Sequence, residues 1–471
     1  MDDTSFFDLS ARIASVLLDN GVSPGDRVAV QVHKSIESLA LYIACVRTGA
    51  VFLPLNTAYT QVELQYFIDD AKPRIVVVDP ASESMAAELV PASQVLSLSG
   101  SGDGSLCEKA SQAKLADVVV PRAADDLAAI LYTSGTTGRS KGAMLTHENL
   151  LSNAKMLVSY WQFESSDVLL HALPVFHTHG LFVASNVMLL SGGSMIFQPR
   201  FNVDDILAEL PHASTMMGVP TFYTRLLADE RFNAPLVKHM RLFISGSAPL
   251  LADTHKEFEA RTGQRILERY GMTETNMNTS NPYGGERLAG TVGLALPGVE
   301  LRVCDQQTHA LLNQGEIGVL HVRGSNVFKG YWQMPEKTAE ELLPDGFFIT
   351  GDLATIDERG YVTIVGRSKD LIISGGYNIY PKEIELLIDE LDAVEESAVI
   401  GVAHKDFGEA VVAVIVQKAN YPGVFDAFVL TEALDGKLAR FKMPKRVELV
   451  AELPRNAMGK VQKKALREQF S

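Results

Sequence analysis

A glycine- and hydroxyl-rich segment at residues 131–142 has the residue types best suited to chemistry in this chain. Its hydroxyl residues are Thr133, Ser134, Thr136 and Thr137, its glycines are Gly135, Gly138 and Gly142, and its cations are Arg139 and Lys141. Hydroxyls, cations and backbone N–H groups that glycine leaves accessible are the donors that hold a polyphosphate. The apolar run at 127–132 before it predicts a buried strand that would position the segment.

The spacing of this segment differs from that of P-loop kinases and ATPases. A Walker A loop needs a glycine, four intervening residues, and then Gly-Lys followed by Ser or Thr. Here only Thr136 and Thr137 separate Gly135 from Gly138, and Lys141 is followed by Gly142. The sequence therefore argues against a P-loop enzyme and leaves two interpretations open, another kind of phosphate loop or an ordinary surface loop.

Five further clusters place polar side chains beside predicted turns. They lie at residues 177–180, 245–249, 268–274, 350–352 with 366–367, and 454–460. In the third cluster, Tyr270 can stack on a base, Thr273 can bond a phosphate, and Glu274 can hold Mg²⁺ together with phosphate oxygens. Each cluster by itself is also compatible with a plain structural turn, so only their combination can indicate a function.

The other clusters offer a ribose site, a terminal cation and a pair of histidines. Asp352 can bind both hydroxyls of a ribose, and Arg367 can reach a ribose or phosphate oxygen. Lys460 follows a glycine turn, from which a loop can carry it to a transferring phosphoryl group or leave it in solvent. His177 and His179 have no cysteine or carboxylate close in sequence, which favours a neutral histidine at a pocket wall over a metal site.

Length and composition narrow the class of protein. The chain has 471 residues, of which 46% are hydrophobic and 21% charged, so two or more globular domains are expected. No apolar run is long enough for a membrane span, and no leader pattern follows Met1. The net charge of −15 argues against a general nucleic-acid binder. Three widely spaced cysteines, Cys45, Cys107 and Cys304, suit a reducing cytoplasm.

Hydrophobic periodicity predicts an α/β protein. Apolar strand patterns alternate with amphipathic helical patterns up to about residue 290, which is typical of layered, largely parallel sheets. We expect residues 1–366 to form a large N-terminal domain, with α/β layers at 1–289 and a small β-barrel-like subdomain at 290–366, where short strands alternate with turns. Residues 367–471 are expected to form a small, mobile α+β C-terminal domain.

The order and spacing of these motifs resemble those of the adenylate-forming enzymes, which include acyl-CoA synthetases, firefly-type luciferases and the adenylation domains of peptide synthetases. Residues 132–142 resemble the family's phosphate loop, and residues 270–274, 350–352, 366–370 and 456–460 resemble its later signatures in the same order. The resemblance covers nearly the whole chain. It implies an enzyme that uses ATP and Mg²⁺ to activate a carboxylic acid, with CoA as the second substrate.

The resemblance also implies a role for each motif residue. The catalytic residues would be Lys460, Glu274 and Thr133, with Glu274 on the metal. The ATP-binding residues would be Thr133, Ser134, Gly135, Thr136, Thr137, Gly138, Lys141, Ser247, Ala248, Pro249, Glu268, Arg269, Tyr270, Gly271, Met272, Thr273, Asp352, Arg367 and Lys460. The small domain would rotate at hinge residue Lys369 between two half-reactions. It would thereby bring Ser374, Gly375 and Gly376 to the CoA tunnel.

Within this family, the stretches 177–183, 218–225 and 268–278 resemble malonyl-CoA synthetases most closely. Malonate keeps a second carboxylate after the first is activated, and burying an unpaired carboxylate costs several kcal/mol. Arg225, Arg269 and His177 are therefore the candidate residues for the substrate carboxylate, although Arg225 also fits an ordinary helix surface. Methylmalonate, acetate, a medium-chain acid or an aryl acid remain alternative substrates.

Two rival classes are less favoured. Lys460, Glu274 and Asp352 would not all be expected in a catalytically silent nucleotide-binding protein, and no carrier segment follows Ser471 for a carrier-loading domain. Family members usually have further residues before the segment matched by 7–12, so we expect the initial strands to be missing and a sheet edge to be exposed. Acetylation of Lys460 is a hypothesis for regulation, because it would remove the charge.

Overall fold

The structure is a computed structural model that describes residues 1–115, 119–133, 140–374, 377–404, 407–423, 425–435, 437–456 and 459–471. Seven of the predicted site residues lie outside the described ranges. They are Ser134, Gly135, Thr136, Thr137 and Gly138 of the phosphate loop, with Gly375 and Gly376 of the CoA tunnel. Their predicted roles therefore stay predictions from the sequence.

The first sheet of the N-terminal region has seven strands. In spatial order they are Gly330–Tyr331, Lys141–Thr146, Leu127–Thr133, Val51–Pro54, Arg27–Gln31, Ile75–Val78 and Val95–Ser97. The strands from Leu127–Thr133 to Val95–Ser97 are parallel, whereas Lys141–Thr146 returns antiparallel beside Leu127–Thr133. Every residue of Ile75–Val78 is buried. A strand covered on both faces is apolar throughout, as its sequence predicts.

A second seven-stranded sheet lies beside the first. Its spatial order is Leu294–Ala295, Asn276–Ser280, Leu267–Met272, Leu242–Ser245, Thr215–Gly218, Val168–His171 and Ser194–Phe197. The five strands from Leu267–Met272 to Ser194–Phe197 are parallel, and Asn276–Ser280 and Leu294–Ala295 are antiparallel. The carboxyl ends of parallel strands lie at one edge, where α/β proteins bind their ligands.

Helices cover the faces of both sheets. They are Asp3–Asp19, Ile36–Thr48, Gln61–Ala71, Glu83–Leu89, Ser105–Gln112, His147–Tyr160, Asn186–Ser191, Val203–Glu209, Pro220–Leu227, Ala234–Val237 and Ala252–Thr262, with a π-helix at His179–Ser185. Ser35, Thr60 and Thr146 begin their helices with reciprocal capping boxes, which the sequence specifies locally. No described helix combines the length and the apolar character needed to cross a membrane.

The β-rich part at 290–366 is an antiparallel four-stranded sheet. Its strands are Glu300–Cys304, Gly318–Arg323, Phe348–Ile356 and Val362–Arg367, in that spatial order. The short helix Pro335–Glu341 precedes the third strand. The antiparallel β-rich character predicted for this region is confirmed.

The C-terminal part has its own sheet and core. Tyr377–Ile379, Ile372–Ser374, Gly408–Gln417 and Val394–His404 are antiparallel neighbours, and Arg446–Leu449 pairs parallel to Gly408–Gln417. The helices Pro381–Asp389, Ala427–Leu434 and Lys463–Phe470 pack on this sheet. Separate hydrophobic clusters lie on either side of it. The predicted α/β fold with a smaller α+β part is confirmed, whereas the exact boundary at 366–367 stays a prediction.

Candidate functional site

Strand Leu267–Met272 has polar side chains on both of its faces. Successive side chains of a strand point to opposite faces, so Arg269 and Tyr270 are directed apart. Tyr270 contacts Asp352 of the β-rich sheet, whereas Arg269 packs against Gly246 at the end of the neighbouring strand Leu242–Ser245. We call these the nucleotide side, around Tyr270 and Asp352, and the acid side, around Arg269 and His177.

On the nucleotide side, polar groups are paired with one another. The Tyr270 hydroxyl donates to Asp352 Oδ2 at 2.5 Å, and Arg367 Nε lies 2.7 Å from Asp352 Oδ1. Asp352 is buried, with its backbone N–H donating to the Thr350 hydroxyl at 3.0 Å. Burial, followed by the Asp352 charge, raises the pKa of Tyr270 well above its usual value. This carboxylate is therefore fixed in place by groups from two different sheets.

Lys460 lies next to this arrangement. The charge of Arg367 and, second, burial lower the pKa of Lys460 to about 8, while Asp352 acts in the opposite direction. Its turn is closed by a hydrogen bond from Lys460 N to Asn456 Oδ1 at 3.0 Å and another from Asn456 N to Lys460 O at 2.9 Å. The structure thus brings together residues that are far apart in the sequence.

The Lys460 turn also touches the N-terminal region. Gly459 has a left-handed φ of 72°, and a Cβ there would lie 3.4 Å from the Thr221 hydroxyl oxygen. Thr221 belongs to the first turn of helix Pro220–Leu227. The small C-terminal part is therefore closed onto the large one, with its terminal lysine directed at the nucleotide side.

Glu274 and Thr133 form the end of the nucleotide side nearest the glycine-rich segment. Glu274 is buried, and its Oε1 lies 3.4 Å from the Thr133 hydroxyl and 3.2 Å from the Tyr331 hydroxyl. Tyr331 also donates to Glu341 Oε2 at 2.7 Å, and Lys141 Nζ lies 3.4 Å from that carboxylate. Burial raises the pKa of Glu274 above its usual value. These contacts fix the strand on each side of residues 134–139.

On the acid side, Arg269 is buried without full pairing. Its side chain is enclosed, yet Nε and Nη2 make no hydrogen bond within the described part of the chain. Burial lowers the pKa of Arg269 to about 9. A Cβ on Gly246 would lie 2.4 Å from the guanidinium carbon, so only glycine allows Arg269 to lie there. A buried cation with free N–H groups is a ready site for a ligand anion.

Two histidines face Arg269. The His179 backbone N–H donates to His177 Nδ1 at 3.3 Å, and His179 Nδ1 lies 3.1 Å from the Ser247 hydroxyl. Burial and then the Arg269 charge lower the pKa of His177 to about 4 and that of His179 well below its usual value. Both rings are therefore neutral at physiological pH. Ser247 has a left-handed φ of 71°, a strained conformation of the kind that clusters at functional sites.

Glu268 adds a buried carboxyl group to the same strand. Leu250 N donates to its Oε1 at 3.1 Å, whereas Oε2 has no hydrogen-bond partner among the described residues. Burial raises the pKa of Glu268 to about 8. Ala248 and Pro249 lie in the adjoining turn, and Gly271, Met272 and Thr273 follow in the chain. At Gly271 a Cβ would lie 1.9 Å from the carbonyl oxygen of Asn276, so the bend there requires glycine.

The three remaining predicted residues are an exposed arginine, a lysine within reach of the charges of Arg367 and Asp352, and a serine of the C-terminal sheet. Arg225 is exposed on helix Pro220–Leu227, one turn after Thr221, and it forms no ion pair with another described residue. Lys369 lies in the turn Ser368–Asp370 after strand Val362–Arg367, and burial lowers its pKa. Ser374 pairs with Gly408 inside the C-terminal sheet. Their predicted roles in acid binding, hinge motion and the CoA tunnel stay predictions.

Several contact residues are not evident from the sequence. Tyr331 and Glu341 meet Glu274 and Lys141 only because the short strand Gly330–Tyr331 pairs with Lys141–Thr146. Gly246 gives a weak signal, since a glycine directly after a predicted strand indicates close approach of a neighbour. The described residues contain no group of three or more His, Cys, Asp and Glu side chains able to hold a metal.

Comparisons with known proteins agree with this arrangement. The AMP-binding enzyme model matches residues 4–332, and the AMP-binding enzyme C-terminal domain model matches residues 383–460. ATP-bound MatB from Rhodopseudomonas palustris is 59% identical, with 99% of this chain and 93% of that chain covered and a TM-score of 0.97. The apo form of MatB from that organism is 58% identical over 100% of this chain and 93% of that chain, with a TM-score of 0.86.

A curated relative gives the same family. The malonate–CoA ligase of Arabidopsis thaliana is 35% identical over 480 residues, which cover 95% of this chain and 78% of the relative. The higher TM-score against the ATP-bound MatB structure than against the apo structure indicates that the two parts of this chain are arranged as in the nucleotide-bound form. Since the family models cover most of the chain, this protein belongs to the AMP-binding enzyme family.

Proposed function

We propose that this protein is a malonyl-CoA synthetase that works through an acyl-adenylate. In the first half-reaction a malonate oxygen bonds to the α-phosphorus of ATP, the bond to the bridging oxygen breaks, and pyrophosphate leaves. In the second, the CoA sulfur bonds to the acyl carbon, its proton is lost, and AMP leaves with the oxygen. The products are malonyl-CoA, AMP and pyrophosphate.

The observation that carries the malonate assignment is the incomplete pairing of buried Arg269. A buried cation with two unpartnered N–H groups is unfavourable until an anion reaches it. The second carboxylate of malonate would supply that anion, and the neutral rings of His177 and His179 add no competing charge. A monocarboxylic acid would leave Arg269 unpaired, so the site would favour a dicarboxylate. The Arabidopsis thaliana relative, a malonate–CoA ligase, supports the same assignment.

The nucleotide side fits ATP. Asp352 presents a carboxylate fixed by Tyr270 and Arg367, which suits the two hydroxyls of a ribose. Tyr270 offers a ring for the base. The proposed ATP-binding set is the one predicted from the sequence, with the turn at 247–249 on the base and with Thr133, Lys141 and residues 134–138 on the phosphates.

Glu274 fits a magnesium ligand. Mg²⁺ prefers carboxylate oxygens and usually reaches a protein through one or two of them together with substrate phosphates. The hydroxyls of Thr133 and Tyr331 both contact Oε1 of Glu274, and its other oxygen makes no side-chain hydrogen bond with a described residue. When bound, the ion would neutralise the phosphate charge.

Lys460 would serve only the first half-reaction. The malonate carboxylate is already ionised at neutral pH and needs no base. Lys460 would contact both the attacking carboxylate and an α-phosphate oxygen, so it holds the reactants together and stabilises the charge that develops between them. Its position beside Asp352 and Arg367 supports this role.

The second half-reaction would use a different arrangement of the small domain. Rotation at Lys369 would withdraw Lys460 and bring Ser374, with Gly375 and Gly376, to line the pantetheine path. The cations of residues 437–446 are candidates for the CoA phosphates, although an ordinary solvated surface explains them equally well.

An ATP–pyrophosphate exchange assay tests the proposal. Malonate, methylmalonate and acetate would be compared side by side at equal concentration. We expect malonate to give the largest kcat/KM, with acetate weakest because it lacks the second carboxylate. Faster exchange with acetate or with an aryl acid would contradict the malonate assignment, and ATP binding without exchange for any acid would point to a silent nucleotide-binding protein.

We also propose that Lys460 acetylation would switch the enzyme off and that the protein acts in the cytoplasm. Acetylation removes the positive charge on which adenylation depends. Protein acetylated at Lys460 that kept full exchange activity would exclude this regulation. The three widely spaced cysteines suit a reducing compartment and support this location.

A further inference from the structure

Lys34 is a buried lysine that lies outside the proposed acid and nucleotide sides. Lys34 is 8% exposed and lies between strand Arg27–Gln31 of the first sheet and helix Ile36–Thr48. Lysine is almost never fully buried unless it is paired. Its Nζ lies 2.7 Å from the carbonyl oxygen and 2.9 Å from Nδ1 of His171, the last residue of strand Val168–His171 in the second sheet. Lys34 therefore ties the two large sheets together at their ligand-binding edges.

The hydrogen bonds define the form of the His171 ring. His171 Nε2 lies 2.9 Å from the carbonyl oxygen of Gly180, and a carbonyl oxygen only accepts. Nε2 therefore has the hydrogen and donates. Burial lowers the pKa of His171 well below its usual value and keeps the ring neutral, so Nδ1 is an acceptor. Burial also lowers the pKa of Lys34 well below its usual value, and its amine has N–H groups to donate in either protonation state. Lys34 Nζ then donates both to Nδ1 and to the His171 carbonyl oxygen.

The hydrogen bond from His171 Nε2 is accepted by Gly180, in the turn that carries the two histidines of the acid side. Gly180 follows His179 in the π-helix His179–Ser185, and helices of this kind are frequent at functional sites. Its carbonyl oxygen also accepts from the Ser185 hydroxyl at 2.9 Å. A Cβ on Gly180 would lie 2.0 Å from the Pro174 carbonyl oxygen, so the backbone is packed tightly there. A small shift of Gly180 would displace the rings of His177 and His179.

We infer that Lys34 and His171 are positioning residues for acid selection, acting through Gly180 on the two histidines that face Arg269. This inference rests on the proposed function. Neither residue contacts a reacting atom in this account. The hydrogen-bond relay instead fixes the wall opposite Arg269, so that the distal carboxylate meets its cation at a defined distance. Displacements of about 1 Å cost roughly a hundredfold in comparable sites.

Kinetics of Lys34→Met and His171→Asn would test this inference. Each variant removes the relay while keeping a side chain of similar length or polarity. We expect kcat/KM for malonate in the exchange assay to fall by roughly tenfold or more, with KM for ATP nearly unchanged and the preference for malonate over acetate reduced. The double variant should be little worse than either single variant, because both break one relay.

A matched control separates positioning from stability. Asn149 is another buried polar residue that ties distant segments, but it donates to the carbonyl oxygens of Ser325 and Val327. Asn149→Ala should lower Tm without changing the ratio of malonate to acetate. If Lys34→Met behaved like Asn149→Ala, lowering Tm and leaving acid selection intact, Lys34 would be a structural tie and the inference would be overturned.

The position of the proton on the His171 ring can also be measured directly. Proton–nitrogen NMR on histidine-labelled protein, with the His171 signal assigned by its loss in His171→Asn, should show a neutral ring protonated at Nε2. A ring protonated at Nδ1 would overturn the relay. Wild-type protein without malonate exchange would instead refute the proposed function, whereas wild-type activity with unchanged variant selectivity would refute only this inference.

Discussion

The nucleotide side and the acid side differ in how their buried polar groups are satisfied. Asp352 is held from both ends by Tyr270 and Arg367, and Glu274 is contacted by Thr133 and Tyr331. On the acid side, Arg269 Nε and Nη2 are buried and have no hydrogen-bond partner among the described residues.

This difference separates the buried groups that are fully paired before a ligand binds from those that need the ligand as a partner. A paired carboxylate is pre-organised for a ligand that nearly all members of this family share. An unpaired buried cation costs free energy and is retained where a substrate anion can satisfy it. The single strand Leu267–Met272 contributes to both sides, because the β alternation directs Tyr270 one way and Arg269 the other.

The largest expected effect comes from removing the cation that would join the two sides. Lys460→Ala should reduce malonate-dependent ATP–pyrophosphate exchange on the order of a hundredfold or more, because charge stabilisation of the transition state is lost. Thioester formation from supplied malonyl-adenylate should persist.

Lys464→Ala is the control for the Lys460 variant, since Lys464 is an exposed lysine on the same terminal segment. It should leave both half-reactions unchanged. Equal loss of both half-reactions in folded Lys460→Ala would show that one domain arrangement serves both steps.

Removing the unpaired cation should affect selection more than stability. Arg269→Met should lower kcat/KM for malonate by on the order of tenfold to a hundredfold, the worth of hydrogen bonds to a charged group. Tm should stay the same or rise, because a buried cation without a full complement of partners is removed. Exchange and thermal melts measure the two effects.

Arg225→Met is the matched comparison for Arg269→Met. Because Arg225 is exposed, its removal should have a smaller effect on malonate selection. A larger loss in Arg225→Met than in Arg269→Met would move the proposed carboxylate site to helix Pro220–Leu227.

Breaking the paired side should lower stability. Asp352→Asn leaves Arg367 and Lys460 without their shared counter-charge and weakens the hydrogen bond from Tyr270. We expect the free energy of unfolding to fall by about 1–2 kcal/mol, with a higher KM for ATP. Denaturant titration is the measurement.

Asp345→Asn is the control for the Asp352 variant, because Asp345 pairs with Arg302 at the surface. Its loss should cost less than about 1 kcal/mol. Equal losses in the two variants would mean that the nucleotide side is no more pre-organised than a surface pair.

The smallest expected effect is a pH dependence of the first half-reaction. The pKa of Lys460 is lowered to about 8 by Arg367 and burial, and the protonated form is the one proposed to act. As pH rises through about 8 the cation is lost, so kcat/KM for exchange should decline by up to about tenfold per pH unit above that value. Thioester formation from supplied malonyl-adenylate should not show this decline at high pH.

The local elements were largely predictable from the sequence. The four apolar residues of strand Ile75–Val78 suit a strand buried on both faces, and the shift to antiparallel strands near residue 290 is confirmed. Strong periodicity and turn residues act over short distances, so they specify these elements independently of the rest of the fold.

The sequence motifs also predicted many residues of the candidate site. Tyr270, Asp352, Arg367 and Lys460 do come together, as the motif order implied. Tyr331 and Glu341 were not predicted, because their contacts depend on the pairing of Gly330–Tyr331 with a strand almost two hundred residues earlier. Arg225 was predicted from its motif, yet the helix leaves it exposed.

The sequence by itself determined the family, the order of the motifs and the residue types available for binding an anion and a nucleotide. Only the tertiary structure decided which of them are already paired and which are left open. The motif made Arg269 a candidate for the substrate carboxylate, but only its packing against Gly246 shows that the guanidinium is buried with unpaired N–H groups. No sequence motif includes Lys34, and its burial is set by contact with His171 of the second sheet. Burial and pairing are set by long-range packing, which no local pattern encodes.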